Sequence, residues 1–326
     1  MESYSETSKR TSLEAHTTTR LRGILLPFTT AFGDRDGIAP EEHANILRWS
    51  SEGIAGYVAL GSTGERVHLS DRECLELIEA ARACVPKDLA FIVGAGQQST
   101  RATIDEVKQF AQAGADALLV ITPHFYRADM TQAALTKHYL TVADASPVPV
   151  LLYSVPHLTT VTIAPETVAR LSEHPNIIGV KDSSGDILAL AEMVRLVPND
   201  FAVLTGNGAA LYPALCVRAK GGILAIGCIA PGLAVAIYDA FQAGEHDRAR
   251  ELQQKLTILT RGVLVRYGIG GLKAALDMLG YVGGHVRPPL QDATEETRSE
   301  IAKVLRATGL LEEEVQSPRS KVQGQE

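Results

Sequence analysis

The sequence predicts an α/β protein, a (β/α)8 TIM barrel with a C-terminal helical appendage. From Gly23 onward, short apolar runs that end in small or polar residues alternate with longer segments of helical period. The runs are apolar on both faces, which is typical of strands in a parallel sheet covered by helices. Eight such strand and helix units occupy about the 250 residues that this kind of barrel needs.

The eight predicted strands are short and almost free of charge. They cover residues 23–28, 56–60, 90–93, 117–121, 150–153, 177–181, 202–204 and 222–226. The predicted helices cover residues 40–52, 70–84, 99–113, 131–145, 165–173, 186–197, 209–219, 231–243, 247–266, 271–279 and 294–308. A doubly wound sheet is the alternative, but it usually has fewer strands and a glycine fingerprint after the first, where this chain has Pro27 and Phe28.

Several helix boundaries carry local signals. Pro40 stands near a predicted helix start, where its fixed backbone angle suits the first turn. Ser70 followed by Glu73 predicts a capping box. Gly53 and Gly114 follow predicted helices at positions where a left-handed cap is favoured. Local and periodic signals therefore agree on the same elements.

Composition and charge restrict the class of partner. The chain has 326 residues, of which 45% are apolar and 21% charged, as in an ordinary globular protein with a sizeable core. Its 31 basic residues against 38 acidic ones leave no basic field for a phosphate backbone, so we predict no nucleic-acid partner. The longest uncharged stretch, residues 221–238, is interrupted by Pro231 and several glycines, so we predict no membrane span.

We divide the chain into four parts. Residues 1–21 form a polar N-terminal segment, residues 22–244 the barrel, residues 245–311 helices packed on it, and residues 312–326 a disordered tail. The four cysteines form no CxxC pair and fit a reducing compartment. We therefore expect a cytoplasmic protein, with a mitochondrial location left open for a eukaryotic source.

Lys181 is the first candidate for chemistry, because in a barrel of this type the carboxyl ends of the strands face the active site. It is the charged end of an otherwise apolar strand. Burial disfavours the ammonium form, so such a lysine can present a free amine to a carbonyl group and form a Schiff base. The alternative is a structural ion pair with Asp182 or Glu65.

Tyr153 ends the neighbouring strand. Adjacent strands lie about 4.8 Å apart, so its phenol can reach an atom attached to Lys181 and can donate or accept a proton there. Ser62 and Thr63 follow the second strand and can continue a chain of hydroxyl groups. The alternatives are a core tyrosine with a satisfied hydroxyl and an ordinary tight turn.

Other motifs give weaker signals. Gly206 opens a Gly-x-Gly pattern after the seventh strand, where barrel enzymes often hold phosphate, but Leu211 leaves the dinucleotide fingerprint incomplete. The nine histidines include neither HxH nor HExxH, so we predict no metal site. We expect no cofactor beyond a covalent imine on Lys181.

Three segments resemble, in order and spacing, the signatures of the dihydrodipicolinate synthase / N-acetylneuraminate lyase family. They are GSTGE at 61–65, YSVP at 153–156 and GVKDS at 179–183. The similarity covers about residues 22–311. Within that family the chain looks most like the 4-hydroxy-2-oxoglutarate aldolases, on YSVP, KDSSGD at 181–186, GIGGLK at 268–273, Gly283-Gly284 and RPPLQ at 287–291.

The resemblance implies a Schiff base of pyruvate or another 2-oxo acid on Lys181. It implies that Tyr153 shuttles protons, that Ser62 and Thr63 contact the substrate carboxylate and relay protons, and that the protein forms a homotetramer. The protonated imine accepts electrons, so a carbon–carbon bond can break or form without a metal. We assign substrate binding to Ser62, Thr63, Ser183, Gly206, Leu224 and Tyr126.

Two departures from the family pattern bear on the substrate. Dihydrodipicolinate synthases usually carry an arginine two positions after the Val-Pro pair, and this sequence has Leu158 there, which cannot hold a carboxylate. The family's relay tyrosine, which comes from another subunit, aligns with Phe125, and Tyr126 follows it. We therefore expect Tyr126 to substitute for that tyrosine, or the relay to end differently.

The sequence thus favours a metal-free class I aldolase that cleaves a 4-hydroxy-2-oxo acid, such as 4-hydroxy-2-oxoglutarate, to pyruvate and an aldehyde. The alternatives are 4-hydroxy-tetrahydrodipicolinate synthase, which uses pyruvate and aspartate semialdehyde, and a 2-keto-3-deoxy sugar acid aldolase or dehydratase. A non-catalytic barrel that binds a 2-oxo acid is a third class of function. Retention of Lys181, Tyr153 and Thr63 argues against that class.

Overall fold

The computed structural model describes residues 21–33, 36–39 and 43–312. In this part of the chain, eight parallel strands close into a barrel in sequence order, with the last strand paired to the first. The strands are β1 (Gly23–Pro27), β2 (Gly56–Ala59), β3 (Ala90–Ala95), β4 (Ala117–Ile121), β5 (Val150–Ser154), β6 (Ile177–Asp182), β7 (Ala202–Thr205) and β8 (Gly221–Ile223). The predicted (β/α)8 barrel with appended C-terminal helices is confirmed.

Helices separate the strands and continue after the last one. The barrel helices are α1 (His43–Trp49), α2 (Asp71–Cys84), α3 (Thr100–Gln112), α4 (Gln132–Ala145), the short α5 (Pro156–Thr159), α6 (Pro165–Leu171), α7 (Ile187–Leu196), α8 (Leu211–Cys216) and α9 (Pro231–Gln242). The appended helices are α10 (His246–Leu259), a π-helical stretch at Thr260–Val265, α11 (Arg266–Met278) and α12 (Glu295–Ala307).

Side chains alternate between two apolar layers, as strand geometry requires. One layer fills the barrel and includes Leu25, Val58, Ile92, Leu119, Leu151, Leu204 and Ile223. The other lies between the strands and the helices and includes Ile24, Leu26, Tyr57, Phe91, Val120, Leu152 and Val203. Because both faces of each strand are buried, the strands are apolar throughout, and a polar residue at a strand end is conspicuous in the sequence.

The capping signals read from the sequence are present where the structure describes them. The Ser70 hydroxyl accepts from the Glu73 N–H, and the Glu73 carboxylate accepts from the Ser70 N–H, so the capping box opens α2. Gly53 and Gly114 adopt φ values of 77° and 111°, in the left-handed region that glycine favours. Pro40 lies outside the described residues.

Two element predictions differ from the structure. The eighth strand ends at Ile223 instead of residue 226, because Ala225–Cys228 turns into a 3-10 helix. The helix predicted at residues 247–266 passes into the π-helix after Leu259, and Gly268, with φ of 62°, kinks the helix that follows. An apolar run alone does not show where a buried strand bends into a buried turn.

The ends of the chain fall largely outside the described residues. Only Leu21 of the predicted N-terminal segment and Glu312 of the predicted tail are described. Among the described helices none is both long enough and apolar enough to cross a membrane.

We expect His138 on α4 to make the protein less stable in mild acid. The ring is buried, its Nδ1 lies 2.9 Å from the Thr100 hydroxyl, and burial lowers its pKa from 6.5 to about 4. Between these two values the unfolded state binds more protons than the folded state, so stability falls as the pH falls. The wild type should lose about 2 kcal/mol between pH 7 and pH 5 through this group.

Denaturant unfolding of the wild type and of His138→Gln at both pH values measures this contribution. The loss between pH 7 and pH 5 should be smaller in the variant by about 2 kcal/mol. Equal losses in the two proteins would show that His138 is not responsible.

Candidate active site

Lys181 and Tyr153 lie side by side at the carboxyl ends of β6 and β5, where they are register partners. Lys181 is 4% exposed, and its Nζ lies 4.5 Å from the centroid of the Tyr153 ring. The two carboxylates offered by the sequence as ion-pair partners of Lys181 are engaged elsewhere: Glu65 binds Lys273, and Asp182 accepts from the N–H and hydroxyl of Ser184. The amine of Lys181 therefore stands against an aromatic face at the barrel mouth.

Gly206, directly after β7, gives the lysine its space. A Cβ at this position would lie 1.9 Å from the Ser183 hydroxyl oxygen and 3.0 Å from Lys181 Cε. Any larger residue would displace one or both side chains. The predicted site residues Lys181, Ser183 and Gly206 are thus brought together, with glycine required by close packing.

Ser62 is the hydroxyl residue that contacts Tyr153. Its Oγ lies 3.1 Å from the tyrosine hydroxyl, across 91 residues of sequence. Ser62 begins the 3-10 turn Ser62–Gly64, and Thr63 is buried in the same turn. Of the two hydroxyl residues that we expected to continue the chain from Tyr153, Ser62 is therefore the one in contact with it, and the role of Thr63 remains a prediction.

The turn that carries Ser62 is anchored from one side to the segment directly after β1. The Thr30 hydroxyl donates to the Gly64 carbonyl at 2.8 Å. A Cβ at Gly64 would lie 3.2 Å from the Phe28 carbonyl oxygen, closer than most Cβ atoms approach. The backbone of the turn thus lies tightly against the end of the first strand.

A buried ion pair anchors the same turn from the other side. Lys273 Nζ donates to Glu65 Oε1 at 2.5 Å, and the side chains are 2% and 1% exposed. The other carboxylate oxygen of Glu65 accepts from the Arg287 N–H at 3.0 Å and lies 3.1 Å from His68 Nδ1. Sequence reasoning missed this pair, although a lysine inside the apolar helical segment GLKAAL is a signal that a partner is needed.

Asp182 continues β6 on the face opposite to Lys181. It is buried, and desolvation raises the pKa of its carboxyl group above the ordinary value. Its register partners are Ser154 on β5 and Thr205 on β7. The polar side chains of Ser154, Asp182 and Thr205, one residue past the row of Lys181, therefore lie behind the sheet, outside the barrel interior.

The structure also describes the surroundings of Leu224 and Tyr126, two further residues that we assigned to substrate binding. Leu224 is fully buried in the layer between barrel and helices, and its assignment to substrate binding stays a prediction. Ile223, the last residue of β8, takes the inward position directly before it. Tyr126 is 68% exposed and packs edge-on against Phe125, which is 72% exposed, with ring centroids 5.2 Å apart.

Leu158, on the short helix α5, is also exposed. It follows β5 and therefore belongs to the mouth of the barrel, on the same side as Tyr153. Within the described ranges, no group of three or more His, Cys, Asp or Glu side chains converges as metal ligands do.

Comparison with known proteins gives one consistent family. The profile of the Dihydrodipicolinate synthetase family matches residues 20–308. A relative from Thermodesulfovibrio yellowstonii, named 4-hydroxy-tetrahydrodipicolinate synthase, is 33% identical over 291 residues, which cover 89% of this chain and 99% of the relative. A relative of the same name from Methanopyrus kandleri is 34% identical over 292 residues, 89% of this chain and 96% of the relative.

Solved structures agree with the sequence relatives. A dihydrodipicolinate synthase from Bacillus anthracis matches with a TM-score of 0.85 and 31% identity, covering 88% of this chain and 98% of the other. YagE, a prophage protein of the dihydrodipicolinic acid synthase family from E. coli K12 solved in complex with pyruvate, matches with a TM-score of 0.84 and 28% identity, covering 89% and 99%.

Proposed function

The chain belongs to the dihydrodipicolinate synthetase family, and on that premise we propose that it is a lyase that forms a Schiff base between Lys181 and pyruvate. The observation that supports this most is the placement of the Lys181 amine 4.5 Å from the Tyr153 ring at the barrel mouth. A structural neighbour was solved in complex with pyruvate, which supports pyruvate as the substrate. The covalent imine is the only cofactor that the reaction needs.

In the proposed reaction the Lys181 amine attacks the keto carbon of the 2-oxo acid, and water leaves to give a protonated imine. In the cleavage direction, a base removes the proton of the 4-hydroxyl group, the bond between C3 and C4 breaks, and an aldehyde departs. The electron pair of that bond moves into the imine and forms an enamine. Protonation of the enamine at C3 and hydrolysis of the imine release pyruvate and free Lys181.

Tyr153 and Ser62 are the proposed proton carriers. Their 3.1 Å separation lets a proton pass between the two hydroxyl groups, and the tyrosine stands beside the lysine that carries the substrate. Thr63 belongs to the same turn and is proposed to contact the substrate carboxylate together with the backbone N–H groups of the turn. Ser183, next to Lys181 and Gly206, is proposed to bind the distal part of the substrate.

Two candidate reactions, which differ in the second substrate, have support. The names of the relatives favour the synthase reaction, in which the pyruvate enamine adds to aspartate semialdehyde, and they support it better than cleavage of a hydroxy-oxo acid. Leu158 counts against the synthase reaction, because it offers no charge to the semialdehyde's carboxylate. Substrate choice depends on individual side chains at the mouth, so relatives at this identity support the imine chemistry better than the choice of second substrate.

Assays of both reactions, with the wild type and Leu158→Arg, decide between these substrates. We expect the wild type to release pyruvate from 4-hydroxy-2-oxoglutarate and to condense pyruvate with aspartate semialdehyde poorly. Leu158→Arg should raise kcat/KM for the semialdehyde by about 10- to 100-fold, the effect of a hydrogen-bonded charge on a carboxylate. Efficient wild-type condensation without cleavage of the hydroxy-oxo acid would establish the synthase reaction instead.

We also propose that the protein is a homo-oligomer, with the tetramer implied by the family resemblance as its form. The rings of Phe125 and Tyr126 are largely exposed on a loop at the barrel mouth. Large apolar groups that cluster at a surface mark sites of protein association. A second copy covering this loop would exclude water from the mouth.

A further inference from the structure

The ion pair of Glu65 and Lys273 has no part in the chemistry proposed above. Lys273 lies in α11, in the appended C-terminal helices, and Glu65 lies in the barrel, 208 residues earlier in the chain. Lys273 also donates to the His285 carbonyl at 2.6 Å, and its Nζ lies 4.7 Å from the Phe32 ring centroid. The pair is therefore a buried polar connection between the appendage and the barrel.

Glu65 is the residue directly after the turn that carries Ser62. It has a left-handed backbone, with φ of 53° and ψ of 36°, which is costly for a residue with a side chain. Its carboxylate accepts hydrogen bonds from Lys273 Nζ and the Arg287 N–H, and it lies within hydrogen-bond distance of His68 Nδ1. These three partners fix the position of Glu65, and with it the end of the turn Ser62–Gly64, which we call the catalytic turn.

Stability alone is a weak explanation for this arrangement. Removing two charges from water is so costly that a buried ion pair often stabilises a protein no better than apolar side chains of similar volume. Ion pairs with several directed hydrogen bonds do fix orientation. The turn must be held in a fixed orientation, because Ser62 contacts Tyr153 through a single 3.1 Å hydrogen bond.

We propose that Glu65 and Lys273 are positioning residues that hold Ser62 against Tyr153, so that the C-terminal helices take part in catalysis through the catalytic turn. The proposal rests on the proposed Schiff-base function. It predicts that weakening the pair slows proton transfer through the relay and leaves formation of the imine on Lys181 in place.

The test uses pyruvate alone, so it does not depend on the second substrate. An enamine exchanges the methyl protons of pyruvate with deuterium from D2O, and proton NMR follows the loss of the methyl signal. Glu65→Gln should slow this exchange by up to about 100-fold, as expected for a displaced catalytic group. In the Tyr153→Phe background, where the relay is already broken, the same change should slow it only about 2-fold.

Asp116→Asn is the matched control. Asp116 accepts from Arg82 and from the Phe91 N–H at the beginning of β4, at the opposite end of the barrel. Its replacement should have the same small effect on exchange in both backgrounds. Borohydride trapping of pyruvate should label Lys181 in the wild type and in Glu65→Gln alike.

The outcomes separate the two proposals. Without an adduct on Lys181 of the wild type, the Schiff-base function is wrong. An adduct together with equal losses from Glu65→Gln in both backgrounds would overturn the positioning role alone. If Glu65→Gln does not fold, the double variant Glu65→Gln/Lys273→Met replaces it in the comparison with and without Tyr153→Phe, because it leaves no unpaired buried charge. Failure of both variants to fold would show that the pair serves stability only.

Discussion

Lys181→Met is expected to lower turnover by about 10⁴-fold or more, because the variant has no amine to form the imine that we propose as the intermediate. Methionine has a similar length and suits the apolar surroundings of a side chain that is almost fully buried. The barrel should therefore still fold. Pyruvate release under saturating substrate, together with circular dichroism, measures both effects.

Lys220→Met is the matched control for this prediction. Lys220 directly precedes β8, at the end of the barrel opposite to the mouth, and its backbone N–H donates to the Val203 carbonyl. The backbone hydrogen bond survives the substitution, so turnover should stay near the wild-type value. Substantial turnover in folded Lys181→Met would mean that another group carries the substrate.

Tyr153→Phe is expected to lower kcat by about 100-fold or more, the usual range for a positioned acid-base group. Ser62→Ala should also lower kcat, and adding it to Tyr153→Phe should cost much less than it costs alone, because the two hydroxyl groups act as one unit. Stopped assays of the wild type, the two single variants and the double variant at one pH give the coupling between Tyr153 and Ser62.

Thr63→Val compares the two hydroxyl residues that the sequence offered as partners of Tyr153, of which Ser62 makes the contact in the structure. Since Tyr153 contacts Ser62, Thr63→Val should couple to Tyr153→Phe less strongly than Ser62→Ala does. Stronger coupling through Thr63, or fully additive losses at all three positions, would contradict the relay from Tyr153 to Ser62.

The barrel was predictable because its strands are buried on both faces and its helices carry local signals. The apolar runs gave all eight strands to within a few residues, and the Ser70 and Glu73 pattern located the beginning of α2. The strand-end rule then selected Lys181 and Tyr153, since the carboxyl ends of the strands meet at one mouth. These inferences need only the order of residues along the chain.

Other features depend on directions in space that a sequence pattern does not contain. The side chain of Leu224 lies in the layer between barrel and helices because β8 ends one residue before it, so the bend sets which way that side chain points. Ser62 rather than Thr63 meets Tyr153 because a 3-10 turn aims consecutive side chains in different directions. The partner of Lys273 lies 208 residues away and could not be chosen among many carboxylates.

Reduction with borohydride in the presence of pyruvate, followed by peptide mass spectrometry, tests the central claim most directly, because it traps the imine as a stable adduct on the residue that formed it. We expect the wild type to carry the pyruvate adduct on Lys181 and Lys181→Met to carry none. An adduct on another lysine, or an active wild-type enzyme without any adduct, would contradict the proposed mechanism.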